Sequence, residues 1–162
     1  MESTGVPMTK AGEQALKEEL KHLIDVERPS ISKAISEARE HGDLKENAEY
    51  HSAKDKQGMI EARIAFIQSR LQNAQVIDIA RFQGKDTVMF GATLTLLHLD
   101  TEKRMVFQIV GEEEADLKKQ KLSVTAPLAR ACIGKAVDDV VEVQTPSGVA
   151  EYEITKIEYI VA

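Results

Sequence analysis

The sequence predicts an α+β protein with a long antiparallel α-helical coiled-coil hairpin at the N-terminus and a small antiparallel β-sheet domain after it. Three observations predict this fold. A heptad stripe of apolar residues follows residues 53–74, a similar stripe follows residues 16–38, and the pattern becomes strand-like after Gly84. The two stripes can bury each other, whereas the later segments alternate as half-buried strands do.

The second stripe is the more regular of the two. Its members are separated alternately by four and three residues, and they are Ala53, Gln57, Ile60, Ile64, Ile67, Leu71 and Ala74. This heptad spacing keeps one face of a helix against a partner along its whole length.

The first stripe comprises Leu16, Leu20, Leu23, Ile24, Ile31, Ile35 and Ala38. Pro29 interrupts it, and because proline lacks a backbone donor we expect a kink or break there. Pairing the stripes antiparallel places the fold-back near residues 45 and 46. Each arm of about 28 residues would then be ~40 Å long.

The acidic tip, residues 43–49, admits two interpretations. Gly42 can end the first arm in the left-handed conformation. Asp43 and Glu46 have the spacing of a capping box, which would begin the second arm and satisfy its backbone donors. The same two carboxylates could instead help to hold Mg²⁺, although two carboxylates bind this ion weakly unless another protein supplies further ligands.

The charge balance argues against a basic DNA-binding domain. The net charge is −6, and each half contributes −3, from 14 acidic and 11 basic residues before residue 81 and 13 and 10 after it. Direct duplex binding is therefore not expected as the main activity. The single cysteine, Cys132, cannot form an internal disulfide. With no signal peptide or long apolar run, we expect a cytoplasmic protein with a buried thiol and no membrane association.

The pattern of the second half predicts a β-rich domain. We place the boundary so that the hairpin spans residues 1–80 and this domain spans residues 81–162. The predicted strands are residues 87–99, with a bend at Gly91, and residues 104–110, 140–145 and 150–160. A short helix is predicted over residues 127–133, capped by Thr125 and ended by Gly134.

Residues 38–51, which read AREHGDLKENAEYH, closely resemble the tip signature of the GreA/GreB transcript-cleavage factors. Other segments resemble the same family in the same order, namely residues 26–29, 57–58, 88–93, 109–111, 114–116, 127–131 and 133–135. The resemblance covers roughly residues 7 to 160. The small number of basic residues on the hairpin favours the GreA branch.

This resemblance implies a fold and an activity. The second domain would have an FKBP-like fold, which does not by itself imply isomerase activity, and it would dock on the rim of bacterial RNA polymerase. The hairpin would enter the secondary channel and stimulate the polymerase's own cleavage of the nascent RNA 3′ end in backtracked complexes, so the chain would not itself be an enzyme. Asp43 and Glu46 match the family's tip carboxylates, which share the second Mg²⁺ with the polymerase; the free protein would bind no ion tightly.

The resemblance also implies a basic patch near the RNA 3′ end. Arg39 and Lys54 lie at matching positions, and Lys45 is nearby. Without the resemblance, these would be ordinary solvated charges. Relatives often have arginine at the position of Lys54, and lysine lacks the planar fork for a bidentate phosphate contact. Tyr50 could stack on a base or pack at the neck of the hairpin.

Two other functions are compatible with parts of the pattern. A channel-plugging inhibitor could use the same hairpin without chemistry at its tip, although the presence of both Asp43 and Glu46 argues against it. An FKBP-like isomerase with a coiled-coil dimerisation arm is disfavoured by the absence of Trp and an aromatic content of 4%. We expect the free protein to be a monomer, although the regular second stripe would allow self-association.

Overall fold

The computed structural model describes residues 5–161, which pack as two units. Residues 13–74 form a helical unit, and residues 5–12 together with 75–161 form a β-rich unit. The first residues group with the second half because strand β1, Val6–Thr9, pairs with strand β2, Ala74–Ile77. The predicted boundary at residue 80 differs from this division, because it assigned residues 5–12 and 75–80 to the hairpin domain.

The helical unit is the predicted antiparallel hairpin. Its elements are α1 (Lys10–His22), a π-helical segment (Leu23–Glu27), α2 (Arg28–Arg39) and α3 (Ala48–Gln72). Both predicted stripes are buried or half-buried; the most buried members of α2 and α3 are Ile31, Ile35, Ala38, Ile60, Ile64 and Ile67. The fold class read from the sequence is therefore confirmed for this half.

The break expected near Pro29 is present as the π-helical segment just before it. Proline cannot donate to the carbonyl one turn earlier, and its ring displaces that carbonyl. The preceding turn therefore widens from α to π spacing, which is a common way for a helix to absorb such a defect.

Two bidentate ion pairs join the arms of the hairpin beside the apolar stripe. The Nε and Nη2 atoms of Arg28 each donate to Glu61 at 2.8 Å. The corresponding atoms of Arg63 donate to Glu19 at 2.6 and 2.8 Å. Such paired contacts fix the two helices side by side more specifically than single lysine contacts would.

The β-rich unit contains a five-stranded sheet of order β5-β4-β3-β7-β6. Its strands are β3 (Thr93–His98), β4 (Arg104–Val110), β5 (Lys121–Ser123), β6 (Val140–Thr145) and β7 (Gly148–Glu158), and the short helix is α4 (Pro127–Cys132). Every pairing is antiparallel except that of β4 with β5. The inner face of the sheet and α4 enclose a core that includes Leu94, Ile109, Ala129, Cys132 and Ile154.

Two details of the prediction for this unit were wrong. The first strand begins at Thr93 and not at residue 87, because the backbone turns at Gly91, where φ is +88°. Thr125 does not cap α4: Ala126 occupies that position without a side-chain bond, and the Thr125 hydroxyl pairs with that of Ser123 at 2.7 Å. The predicted stop at Gly134 is confirmed by a φ of +84°.

Cys132 is fully buried in this core, and burial raises the pKa of its thiol to about 11. Within residues 5–161, none of the helices combines the length and the apolar character that a membrane span requires.

Candidate functional site

The tip loop, residues 40–47, connects α2 to α3. Gly42 adopts a φ of +105°, and its N–H donates to the carbonyl of Arg39 at 3.3 Å, which closes the last turn of α2. A left-handed φ is accessible to glycine at little cost. The chain then leaves the helix, and residues 43–46 all carry exposed side chains.

The capping-box interpretation of Asp43 and Glu46 is wrong. Helix α3 begins at Ala48, so both residues precede the helix by more than the box allows. Asn47 caps it: the Asn47 Oδ1 accepts from the N–H of Tyr50 at 3.0 Å. Aspartate and asparagine are both favourable cap residues, so the residue type of Asp43 did not reveal that the cap lies at Asn47.

Both tip carboxylates are largely free of protein partners. The Asp43 Oδ1 accepts from the N–H of Lys45 at 2.9 Å. In the described part of the chain, the Glu46 carboxylate makes no hydrogen bond or ion pair. Each side chain can therefore present carboxylate oxygen to a ligand in solvent.

The chemistry of these donors fits a shared divalent cation and does not fit a cation held by this chain alone. Carboxylate oxygens are the ligands that Mg²⁺ prefers, but one or two of them leave the ion mostly hydrated. Among residues 5–161, no three or more His, Cys, Asp or Glu side chains are grouped to hold a metal. A tip of this kind would complete a coordination shell that another molecule begins.

Three contacts hold the loop against the ends of α2 and α3, at the neck of the hairpin. The Asn47 Nδ2 donates to the carbonyl of Ala38 at 2.6 Å. The His51 Nε2 lies 3.0 Å from the carbonyl oxygen of Lys45 and must donate there, because that oxygen can only accept. The His41 Nδ1 lies 3.0 Å from the Glu49 Oε2. The two histidines therefore brace the loop from its exposed sides.

The predicted basic residues surround the neck. The Arg39 guanidinium carbon lies 5.8 Å from the ring centroid of Tyr50, and this ring is half-buried and packs edge-on against His51. Tyr50 is therefore used in packing at the neck. The side chain of Lys45 is exposed on the loop, and the Lys54 Nζ donates to Gln57 of its own helix at 3.3 Å. Lys54 lies ~9 Å along α3 from its first residue.

Two models of known protein families together match most of the chain. The family model described as "Transcription elongation factor, N-terminal" matches residues 6–76, and the model described as "Transcription elongation factor, GreA/GreB, C-term" matches residues 83–159. The chain has the two domains of a transcription elongation factor. It belongs to the GreA/GreB family.

Similar proteins cover almost the whole chain. It is 55% identical over 159 residues to "Transcription elongation factor GreA" of Francisella tularensis subsp. novicida, which covers 98% of this chain and 99% of the relative. It is 57% identical over 154 residues to the protein of that name in Francisella philomiragia, covering 95% and 96%. The solved GreA factor homolog 1 of Thermus thermophilus is 26% identical, with 95% and 99% covered and a TM-score of 0.43.

Proposed function

We propose that this protein binds bacterial RNA polymerase, inserts its tip loop through the secondary channel and stimulates the polymerase's cleavage of the nascent RNA 3′ end in backtracked complexes. The proposal is supported mainly by the environment of the Asp43 and Glu46 carboxylates. Both carboxylates lie outside the cap of α3, are exposed, and have little or no protein partnership.

In this mechanism Asp43 and Glu46 offer oxygen ligands that the polymerase site lacks. The Mg²⁺ shared with the polymerase would activate a water molecule and stabilise charge on the phosphate. The chain acts as an accessory factor and not as a nuclease, because two carboxylates cannot hold the ion by themselves. Arg39, Lys45 and Lys54 would lie near RNA phosphates and offset the negative charge that the tip brings.

The β-rich unit would dock on the rim of the channel, and the free protein would act as a monomer. The length of α3 supports insertion of the tip. Helix α3 has 25 residues, so this arm is ~37 Å long, which suits delivery of a side chain to a site deep within another protein.

The test is RNA cleavage in purified backtracked polymerase complexes with wild type, Asp43→Asn and Glu46→Gln. Each variant keeps the shape of the side chain and removes the charge that attracts Mg²⁺. We expect each cleavage rate to fall at least about tenfold, as the loss of a group that supports a metal site does. The matched control is Asp55→Asn, which changes an exposed carboxylate on α3. This variant should stimulate cleavage as well as wild type does.

Helicity and polymerase binding must be measured for the same variants. If both tip variants stimulate cleavage at the wild-type rate, Asp43 and Glu46 have no part in the chemistry. Inhibition of nucleotide addition by the wild-type protein, without any shortening of the RNA, would instead identify a channel-binding inhibitor.

A further inference from the structure

Asn47 connects the two helices that the tip loop separates. Its Oδ1 accepts from the N–H of Tyr50 in the first turn of α3 at 3.0 Å. Its Nδ2 donates to the carbonyl of Ala38, in the last turn of α2, at 2.6 Å. One amide group therefore binds an N–H of one helix and a C=O of the other.

The chemistry of this bridge requires an amide. The N–H of Tyr50 needs an acceptor and the carbonyl of Ala38 needs a donor, so the orientation of the Asn47 amide is fixed by its partners. Aspartate can accept but cannot donate, and serine is too short to contact both groups. Both residues cap helices well, so the capping role alone does not select asparagine.

The other restraints on the loop are more exposed to water. The side chains of His41 and Glu49 are 62% and 72% exposed, and the contacts of Asp43 with Lys45 and of His51 with Lys45 are also exposed. Asn47 is half-buried, and Ala38 is 3% exposed. Because water competes least at the Asn47 bridge, this bridge sets the separation of the loop ends.

We propose that Asn47 is a positioning residue for Asp43 and Glu46, which lie four positions and one position before it. By fixing both ends of the loop, it holds the two carboxylates in the arrangement that the polymerase site needs. This inference rests on the proposed function and adds a residue that touches neither the RNA nor the ion. Misplacement of a reacting group by about 1 Å can lower a rate by about a hundredfold, so a loosened loop should lower the cleavage rate.

The experiment compares Asn47→Ser and Asn47→Asp with wild type. Both variants keep a cap residue for α3 and remove the donor to the carbonyl of Ala38. Because they differ in charge, their comparison separates the effect of the lost bridge from the effect of an added charge. Asn73→Ser is the matched control: its Nδ2 donates to Ser69 within α3, at the other end of the helix. Cleavage is measured at saturating factor over a range of Mg²⁺ concentrations. Polymerase affinity, helicity and amide hydrogen exchange of residues 40–47 are measured on the same proteins.

We expect both Asn47 variants to bind polymerase and to keep their helicity. Their saturating cleavage rate should fall by about tenfold or more, the Mg²⁺ concentration for half-maximal cleavage should rise for Asn47→Ser, and the loop amides should exchange faster. Asn73→Ser should match wild type in all four measurements.

Four results would overturn the proposal. Wild-type rates with an unchanged Mg²⁺ requirement would show that the bridge does not position the carboxylates. A loss of helicity or affinity that accounts for the whole rate change would reduce Asn47 to a structural role. Absence of cleavage with the wild-type protein would refute the proposed function, and unchanged loop exchange in Asn47→Ser would separately refute the ordering of the loop.

Discussion

At the start of α1, a glutamate from a distant part of the chain completes a helix cap. Thr9 is the cap residue, and its hydroxyl accepts from the N–H of Gly12 at 3.0 Å. The Glu114 Oε2 accepts from the N–H groups of Thr9, at 3.0 Å, and Gly111, at 3.1 Å, and the Thr9 hydroxyl donates to Glu114 as well. In an ordinary capping box, this glutamate would stand at the position of Gly12.

This arrangement explains why residue 12 is a glycine. A Cβ built at Gly12 would lie 2.2 Å from the Glu114 Cδ. The side chain of Glu114 thus occupies the space that a side chain at residue 12 would fill, although Glu114 is 105 residues from the cap residue Thr9 in sequence. Residues 5–12 are held to the β-rich unit by this carboxylate as well as by the pairing of β1 with β2.

Gly12→Ala should destabilise the protein although alanine is the better helix former. The new methyl group displaces the Glu114 carboxylate and weakens its bonds to Thr9, each worth about 1.5–3 kcal/mol for a charged group. The gain in helix propensity is at most about 1 kcal/mol, so we expect a net loss of about 1–2 kcal/mol. Chemical denaturation followed by circular dichroism measures the difference.

Gly58→Ala is the control for that experiment. Gly58 lies in α3, and nothing is within 4 Å of a Cβ built there. It should stabilise the hairpin by about 0.5–1 kcal/mol. The double variant Gly12→Glu with Glu114→Ala restores a local capping box and should recover much of what Glu114→Ala loses. If Gly12→Ala and Gly58→Ala were equally stabilising, Glu114 would not be the partner of this cap.

At the scale of the hairpin, the ion pairs make its stability depend on pH. The hydrogen bond from Arg63 holds the pKa of the Glu19 carboxyl below its ordinary 4.5. Because the folded pKa is below that of the unfolded chain, the pair stabilises the hairpin above about pH 4.5 and loses this contribution as pH falls through the lowered value. The side chains of both residues are 40% exposed, so the contribution should stay below about 1 kcal/mol.

Glu19→Gln should therefore lower the melting temperature of the hairpin at pH 6, and its difference from wild type should shrink as the pH falls below 4.5 towards the lowered pKa of the wild-type carboxyl. Circular dichroism at 222 nm over this range measures the effect. The control is Glu18→Gln, whose carboxylate accepts from Gln14 of the same helix at 3.1 Å. A difference between wild type and Glu19→Gln that does not shrink as the pH falls below 4.5 would exclude the ion pair as its cause.

The elements with strong local patterns were predictable, and those that depend on distant partners were not. The stripes of the hairpin, strand β4 and strand β6 were read from the sequence with accurate positions. Strands β1 and β2 have four residues each and pair across more than 60 positions, so no local pattern marks them. Residues 88–90 alternate like a strand, but the chain turns at Gly91, where a Cβ would lie 2.1 Å from Ile79.

The candidate site was predictable in its residues but not in its geometry. The resemblance of residues 38–51 to a known tip pointed to Asp43, Glu46 and Arg39. It did not point to Asn47, since a capping box at Asp43 explained the start of α3 equally well. The choice between the two caps depends on the carbonyl of Ala38, which lies nine positions earlier and binds the Asn47 amide.

At the scale of the whole molecule, the two units have cores of different kinds. The helical unit buries a single stripe between two helices, with Ile64 3% and Ile67 0% exposed. The β-rich unit buries a contiguous cluster between its sheet and α4, and Cys132 lies within it with 0% exposure. A stripe shared by two helices gives each residue fewer neighbours than a layered core does, so the hairpin should lose its structure first.

Cys132 makes this order of unfolding measurable. Its raised pKa and full burial keep the thiol unreactive at neutral pH, so a thiol reagent labels it only when the β-rich unit opens. At the denaturant midpoint of the helical signal, we expect labelling at least about tenfold slower than in the fully denatured chain. Ile64→Ala should lower the helical midpoint and leave labelling unchanged, whereas Ile154→Ala should accelerate labelling; each substitution removes about 2–5 kcal/mol from its own unit. Coincidence of the helical and labelling transitions in all three proteins would show instead that the chain unfolds as one cooperative body.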